Sequence, residues 1–190
     1  MKNPQVHLAE TLKEHRKNKE WSLSTAATKT GVSKAMLGQI ERGESSPTVA
    51  TLWKIATGFE VSFSSFIEPI PQESQSTIIR TSNDIRQHPD NAGFKIAALF
   101  PYEPRFGFEY FELTFEAGYE RLSEPHEPGV VEHLSIIEGS LDVLCDAVWH
   151  TLKKGQSIRH AGDQPHGYRN VGKTECIVMN VIHYPQHSKT

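Results

Sequence analysis

The sequence predicts a multidomain α + β protein, a helical head followed by an all-β body, and three observations predict it. Up to about residue 70 apolar residues recur at helical spacing; beyond residue 90 they fall in short aromatic or β-branched runs separated by Gly and Pro. Between the two, EPIPQESQSTIIR opens with two closely spaced prolines and continues polar, which marks a linker. The expected division is a head over 1–68, a linker over 69–77 and a body over 78–190. With 190 residues and 37% apolar content, the chain is long enough for two cores.

In the head, Val6, Leu8, Leu12 and His15 set the first helical stripe. Leu23, Ala26 and Ala27 set the second, Leu37 and Ile40 the third, and Val49, Leu52, Ile55 and Ala56 the fourth. Ser22 precedes LSTAATKT as an N-cap and Gly31 follows as a stop, because a hydroxyl can accept an orphan backbone N–H and glycine tolerates the left-handed exit. Ser33 then caps KAMLGQIER and Gly43 ends it; Pro47-Thr48 introduces VATLWKIAT, which Gly58 closes. Two short helices joined by Gly31-Val32-Ser33 have the geometry of a helix-turn-helix, whose second helix can enter the major groove of duplex DNA.

GVSKAMLGQIERGESSPTVATLWKIATGFEV resembles the five-helix DNA-binding domain of lambda-type phage repressors and xenobiotic-response-element regulators, over residues 6 to 67. The resemblance implies that Leu37 and Ile40 are core, while Ser33, Lys34, Ala35 and Gln39 face the groove. Lys34 can donate to guanine O6 or N7, and Gln39 can pair with adenine N6 and N7. Arg42, Ser22 and Ser46 are placed for phosphates, which fix register without reading sequence. The competing reading is a solvated helix face on a protein-interaction module. Net charge does not choose between them, since residues 1–68 carry nine Lys or Arg against seven Glu, and the rest eleven against sixteen acidic residues.

In the body, FKIAALF, FEYFELTF, EHLSIIEG, LDVLC and ECIVMNVI read as strands, with TIIR as a candidate first strand. Eight of the ten histidines lie beyond residue 87, in this half. Gly118, His126, Glu132 and Gly139, followed by Gly155, His166 and Asn170, resemble the two motifs of cupins, over about residues 78 to 185. That resemblance implies a double-stranded β-helix, or jelly-roll, barrel. The sequence departs from the pattern at Pro128, which stands where a second His is usual, and at Ala161 and Asp163, which replace a Pro and a Gly.

Strand alternation puts Glu132, Leu134 and Ile136 on one side, where the carboxylate can meet His126 and His166 inside a barrel. Two imidazoles and a carboxylate suit a divalent metal, zinc first or Fe²⁺ in a facial site, with Glu127 the candidate replacement for the donor lost at Pro128. The alternative is a metal-free pocket in which His126 and His166 recognise a ligand by hydrogen bonds. Tyr110 and His183 are further candidates to line the cavity, although parity leaves open whether Tyr110 or Phe111 points inward. His133 is expected outward, and His150, His160 and His187 in loops or on the surface.

No apolar run approaches the ~18 residues of a membrane span, and MKNPQVHLAE contains no apolar leader core, so a cytoplasmic protein without membrane partners is expected. Cys145 and Cys176 lack CxxC spacing and are expected as reduced, packed thiols. A DNA-reading head on a barrel with a polar cavity resembles the helix-turn-helix and cupin family of bacterial regulators. FPYEP, PHEPGVVEH and VIHYP extend the likeness to its sulfur-utilisation members. This resemblance implies a homodimer on a pseudo-palindromic operator in double-stranded DNA, and a small sulfur-related metabolite or amino acid as effector. The rival is a metal-dependent cupin enzyme, a dioxygenase or isomerase, with an accessory helical domain. The incomplete ligand set favours the non-enzymatic reading.

Overall fold

The computed structural model describes residues 4–68, 77–90 and 93–185, and the chain divides into two compact units, Met1–Pro71 and Gln72–Thr190. Most of the segment expected to be the linker, 69–76, lies outside the described residues, as does His187.

The first unit contains α1 (Pro4–Asn18), α2 (Leu23–Thr30), α3 (Lys34–Glu41), α4 (Val49–Phe59) and a fifth, 3₁₀ turn, Phe63–Phe66. Local chemistry sets most of these ends. Ser22 Oγ accepts from Thr25 N, and Ser33 Oγ accepts from Met36 N. Thr48 Oγ1 accepts from Thr51 N. Gly31, at φ +67°, donates its N–H to the Ala27 carbonyl and turns the chain toward α3. Leu12, Leu37, Ile40, Ile55, Phe59 and Phe66 fill the core.

Two sequence readings fail here. Val6 is 46% exposed and does not belong to the buried stripe of α1. Gly58 does not end α4; Glu60 does, in the left-handed region. Gly58 is a packing residue instead, because a Cβ there would lie 2.6 Å from Thr30 Cα, where α2 and α4 touch.

Among its described residues the second unit holds a short helix, α5 (Ser82–Ile85), and ten strands in two antiparallel sheets. The strands are β1 (Gln87–Asp90), β2 (Phe94–Phe100), β3 (Phe108–Phe115), β4 (Glu120–Ser123) and β5 (Val131–Glu138), then β6 (Ser140–Cys145), β7 (Val148–Lys153), β8 (Ser157–Ala161), β9 (His166–Arg169) and β10 (Cys176–His183). One sheet runs β1-β2-β3-β10-β5-β8 and the other β4-β9-β6-β7. TIIR, expected as the first strand, forms none, and Ile79 in it is 91% exposed. Phe94, Phe111, Phe115, Leu134, Val143 and Tyr168 build the core from both sheets, and Cys145 and Cys176 are free and buried. Gly139 makes the tight β5–β6 turn at φ +78°, where a Cβ would press on the Glu175 carbonyl at 2.8 Å.

Candidate functional site

The barrel interior is organised around one carboxylate. Alternation along β5 buries Glu132, Leu134 and Ile136 and turns His133 outward. Glu132 Oε1 lies 2.9 Å from His126 Nε2 and 3.5 Å from His166 Nε2. Its Oε2 accepts from Tyr168 OH at 2.8 Å and from Asn180 Nδ2 at 3.0 Å. Four side chains from three segments therefore converge on it: one from the loop before β5, two from β9 at the strand period of two, and one from β10. Gly162 makes room, since a Cβ there would come within 3.2 Å of the His126 ring and 3.4 Å of Glu132 Cγ. Its carbonyl also accepts the His126 N–H at 2.9 Å and fixes the loop.

Burial by itself would raise the Glu132 pKa. The hydrogen bond from His126 and the favourable electrostatics of His126, His166 and His160 together outweigh it and hold the carboxyl far below the ordinary range. Burial lowers His166 to about 4 against the opposing pull of Glu132, so its imidazole is neutral at neutral pH. A carbonyl can only accept, so His166 Nδ1 carries the proton that meets Gln164 O at 2.8 Å. The Nε2 lone pair is left buried, without a hydrogen-bond partner, beside an anionic oxygen. Two electron-pair donors facing each other in a dry site fit a cation or a strong proton donor between them. A backbone-anchored Nδ1–H is also how metal-binding imidazoles are oriented. The ligand atoms of His126, Glu132 and His166 all lie within 4.8 Å of one another.

The other expectations for the barrel divide. Glu127 is half-buried but is not part of that three-residue cluster, and Pro128 is exposed. Tyr110 is set apart from the cavity: Glu109 and Phe111 are its buried neighbours, and its own ring stacks on Phe100. His183 is exposed and follows buried Ile182, so it too sits on the other face. His160, expected at the surface, is instead buried on β8 opposite Glu132, with Nε2 3.4 Å from Tyr168 OH. His150 is exposed, on β7. Asn170, the last motif residue, holds a turn: its amide donates to Phe115 O and Thr174 O and accepts from Gly172 N.

Sequence reasoning missed Tyr168, Asn180 and His160. Tyr168 was within reach, two residues after His166 on one strand. Asn180 was not, because only the pairing of β10 with β5 brings it to Glu132.

In the first unit, α3 buries Leu37, Gly38 and Ile40 and exposes Ser33, Lys34, Ala35 and Gln39. Ser22 and Ser33 are occupied as caps, although both remain exposed, as does Ser46. Arg42 forks onto Glu44, with Nε to Oε1 at 2.8 Å and Nη2 to Oε2 at 2.7 Å, so its guanidinium is engaged within the chain.

A helix-turn-helix family model matches residues 12–66, and a cupin domain model matches residues 111–182. The chain is 47% identical over 186 residues to the HTH-type transcriptional regulator SutR of Escherichia coli strain K12, covering 98% of this chain and 99% of that one. It belongs to the helix-turn-helix transcriptional regulators that carry a cupin domain. A solved HTH_3 family transcriptional regulator from Vibrio cholerae is 44% identical with a TM-score of 0.80, covering 95% of this chain and 97% of that one. A structure of FeII HppE, 17% identical with a TM-score of 0.50 over 95% of this chain and 100% of that one, shares the fold. No helix among the described residues is long and apolar enough to cross a membrane.

Proposed function

We propose that this chain regulates transcription as a cytoplasmic homodimer on a pseudo-palindromic operator, with residues 1–68 reading double-stranded DNA and residues 78–190 taking up a small effector. The observation that carries the DNA-reading half is the sidedness of α3: Leu37 and Ile40 are buried while Lys34, Ala35 and Gln39 share an open face. Lys34 and Gln39 are the base-reading residues, and Arg42, Ser22, Ser33 and Ser46 meet the backbone. One recognition helix per protomer requires a second protomer to reach a half-site about 34 Å away.

In the barrel, His126, Glu132 and His166 would hold a divalent metal, zinc by the nature of the donors. Bound there, the ion would supply a Lewis-acidic contact for an effector. Tyr168 and Asn180 keep the carboxylate oriented, and the depressed Glu132 pKa keeps it charged, a preference for holding a guest over acid–base turnover. A sulfur-related metabolite or amino acid is the effector class. An effector that binds one conformation more tightly shifts the DNA-binding equilibrium toward it.

The test is selection of genomic fragments by the full-length protein, with and without a cell metabolite extract, followed by Gln39→Ala on the selected sites. Changed fragment occupancy with extract and a changed base preference in the variant are expected. Retention of no fragment at low salt would overturn the reading.

A further inference from the structure

Polar groups inside the barrel are almost all spoken for, and the exceptions on β4 have a direction. Along β4, Glu120 and Leu122 are exposed, whereas Arg121 and Ser123 turn inward; they pair in register with Tyr168 and His166 of β9. Cross-strand partners share a face, so both side chains lie on the side of the sheet that carries the Glu132 cluster. The Arg121 guanidinium carbon is 5.9 Å from the centre of the Tyr168 ring and 5.5 Å from that of Phe94. Its Nε and Nη1 are buried and have no hydrogen-bond partner, and neither does buried Ser123 Oγ.

Ring contacts place the cation but leave Nε and Nη1 unanswered, and buried guanidinium N–H groups without a partner are unusual. The neighbouring Arg169 marks the contrast, because it stacks on Trp149 and also donates to Asp142. Among the described residues Arg121 has no ion-pair partner: Glu120 is exposed on the opposite face, and both Glu132 oxygens are engaged beyond Tyr168.

We propose that Arg121 and Ser123 form an anion subsite of the barrel that binds the carboxylate of a small organic acid. A carboxylate can accept from the guanidinium N–H groups left unanswered, and the hydroxyl adds a further donor. One guanidinium balances one negative charge. A monoanionic carboxylate matches that single charge more closely than a phosphate dianion does. The proposal rests on the reading that the barrel takes a small effector and names the group by which it is held; Tyr168 links the two places, its ring 5.9 Å from the Arg121 guanidinium carbon and its OH 2.8 Å from Glu132 Oε2.

The experiment compares full-length wild type, Arg121→Met and Arg121→Lys by thermal unfolding and calorimetric titration. The probes are acetate, propionate, succinate and the common L-amino acids, with the matching amides, phosphate and sulfate at equal ionic strength as controls. At least one carboxylate is expected to raise the wild-type Tm, its amide is not, and its Kd is expected to rise about tenfold or more in Arg121→Met. Arg121→Lys keeps the charge without the fork and falls between. In buffer alone Arg121→Met unfolds no earlier than wild type, because the arginine it removes is unpaired. An Arg121→Met or Arg121→Lys protein clearly less stable without ligand would mark a structural residue and overturn the proposal. So would equal carboxylate responses in wild type and Arg121→Met, or response to phosphate and sulfate alone. Fragment binding by wild type with no carboxylate response would overturn this subsite and leave the regulator reading standing, whereas loss of fragment binding strikes only the latter.

Discussion

Arg16 grips Glu41 through two parallel hydrogen bonds, Nε to Oε1 at 2.6 Å and Nη2 to Oε2 at 2.8 Å, and so ties α1 to the last residue of α3. The third arm, Nη1, donates to the Trp21 carbonyl at 2.9 Å and fixes the turn into α2. Both side chains are largely covered, so the pair anchors the end of α3 to α1.

Arg16→Met is expected to destabilise the head by on the order of 2 kcal/mol, since it strands a mostly buried carboxylate. The double variant Arg16→Met with Glu41→Leu recovers most of that loss. Urea unfolding followed by helical circular dichroism measures both, and a single variant as stable as wild type would refute the assignment.

Gly58→Ala tests the α2–α4 contact. In a free helix the change would help by about 1 kcal/mol. Here the added methyl meets Thr30 Cα at 2.6 Å and the Lys29 carbonyl at 2.7 Å, so the expected sign reverses to a loss of about 1–3 kcal/mol. A gain in the urea midpoint would mean that the helices slide apart freely.

Glu44 holds the guanidinium of Arg42, which the proposed docking would place on DNA phosphate. Glu44→Gln frees the guanidinium, and duplex affinity at low salt is expected to rise with a steeper dependence on salt. Arg42→Gln is expected to flatten the log–log slope by about 0.9. Filter binding across a salt series reads both changes, and parallel lines for all three proteins would remove Arg42 from the interface.

The cluster around Glu132 makes the β unit acid-sensitive. His166 sits at about 4 in the fold against an ordinary 6.5, so between those values the unfolded chain binds more protons and stability falls as pH drops. The depressed Glu132 carboxyl acts with the same sign further down: its contribution is present above the ordinary carboxylate pKa and is lost as pH falls through the folded value. The His166 contribution is at most about 3 kcal/mol. Urea midpoints by Trp149 fluorescence in a Trp21→Phe, Trp53→Phe background, with chelator present, should be lower at pH 5 than at pH 7, and His166→Asn should narrow the gap. Equal wild-type midpoints would contradict the burial argument.

The head was legible because its signals are local. Ser22, Ser33 and Thr48 act within three residues of themselves, and a cap can be read from a short stretch of chain. Gly58 was misread because its partner, Thr30, belongs to another helix. In the body the apolar strands β2, β3, β5, β6 and β10 were visible, whereas polar β7, β8 and β9 lack the alternation that announces a half-buried strand. Glu132, His126 and His166 were found because spacing carries them. His160, Tyr110 and His183 went astray because each needs a sheet register, and a shift of one residue swaps the faces.

The two enclosed thiols limit the kind of message this molecule can receive. Cys145 and Cys176 are both pushed up to about 11, chiefly by loss of hydration, so almost no thiolate exists at neutral pH. Disulfides and thiol-directed alkylating agents therefore find almost no thiolate at either cysteine of the folded protein. A sulfur-related compound would have to announce itself by reversible occupancy, leaving no covalent trace and letting the response fade when it departs.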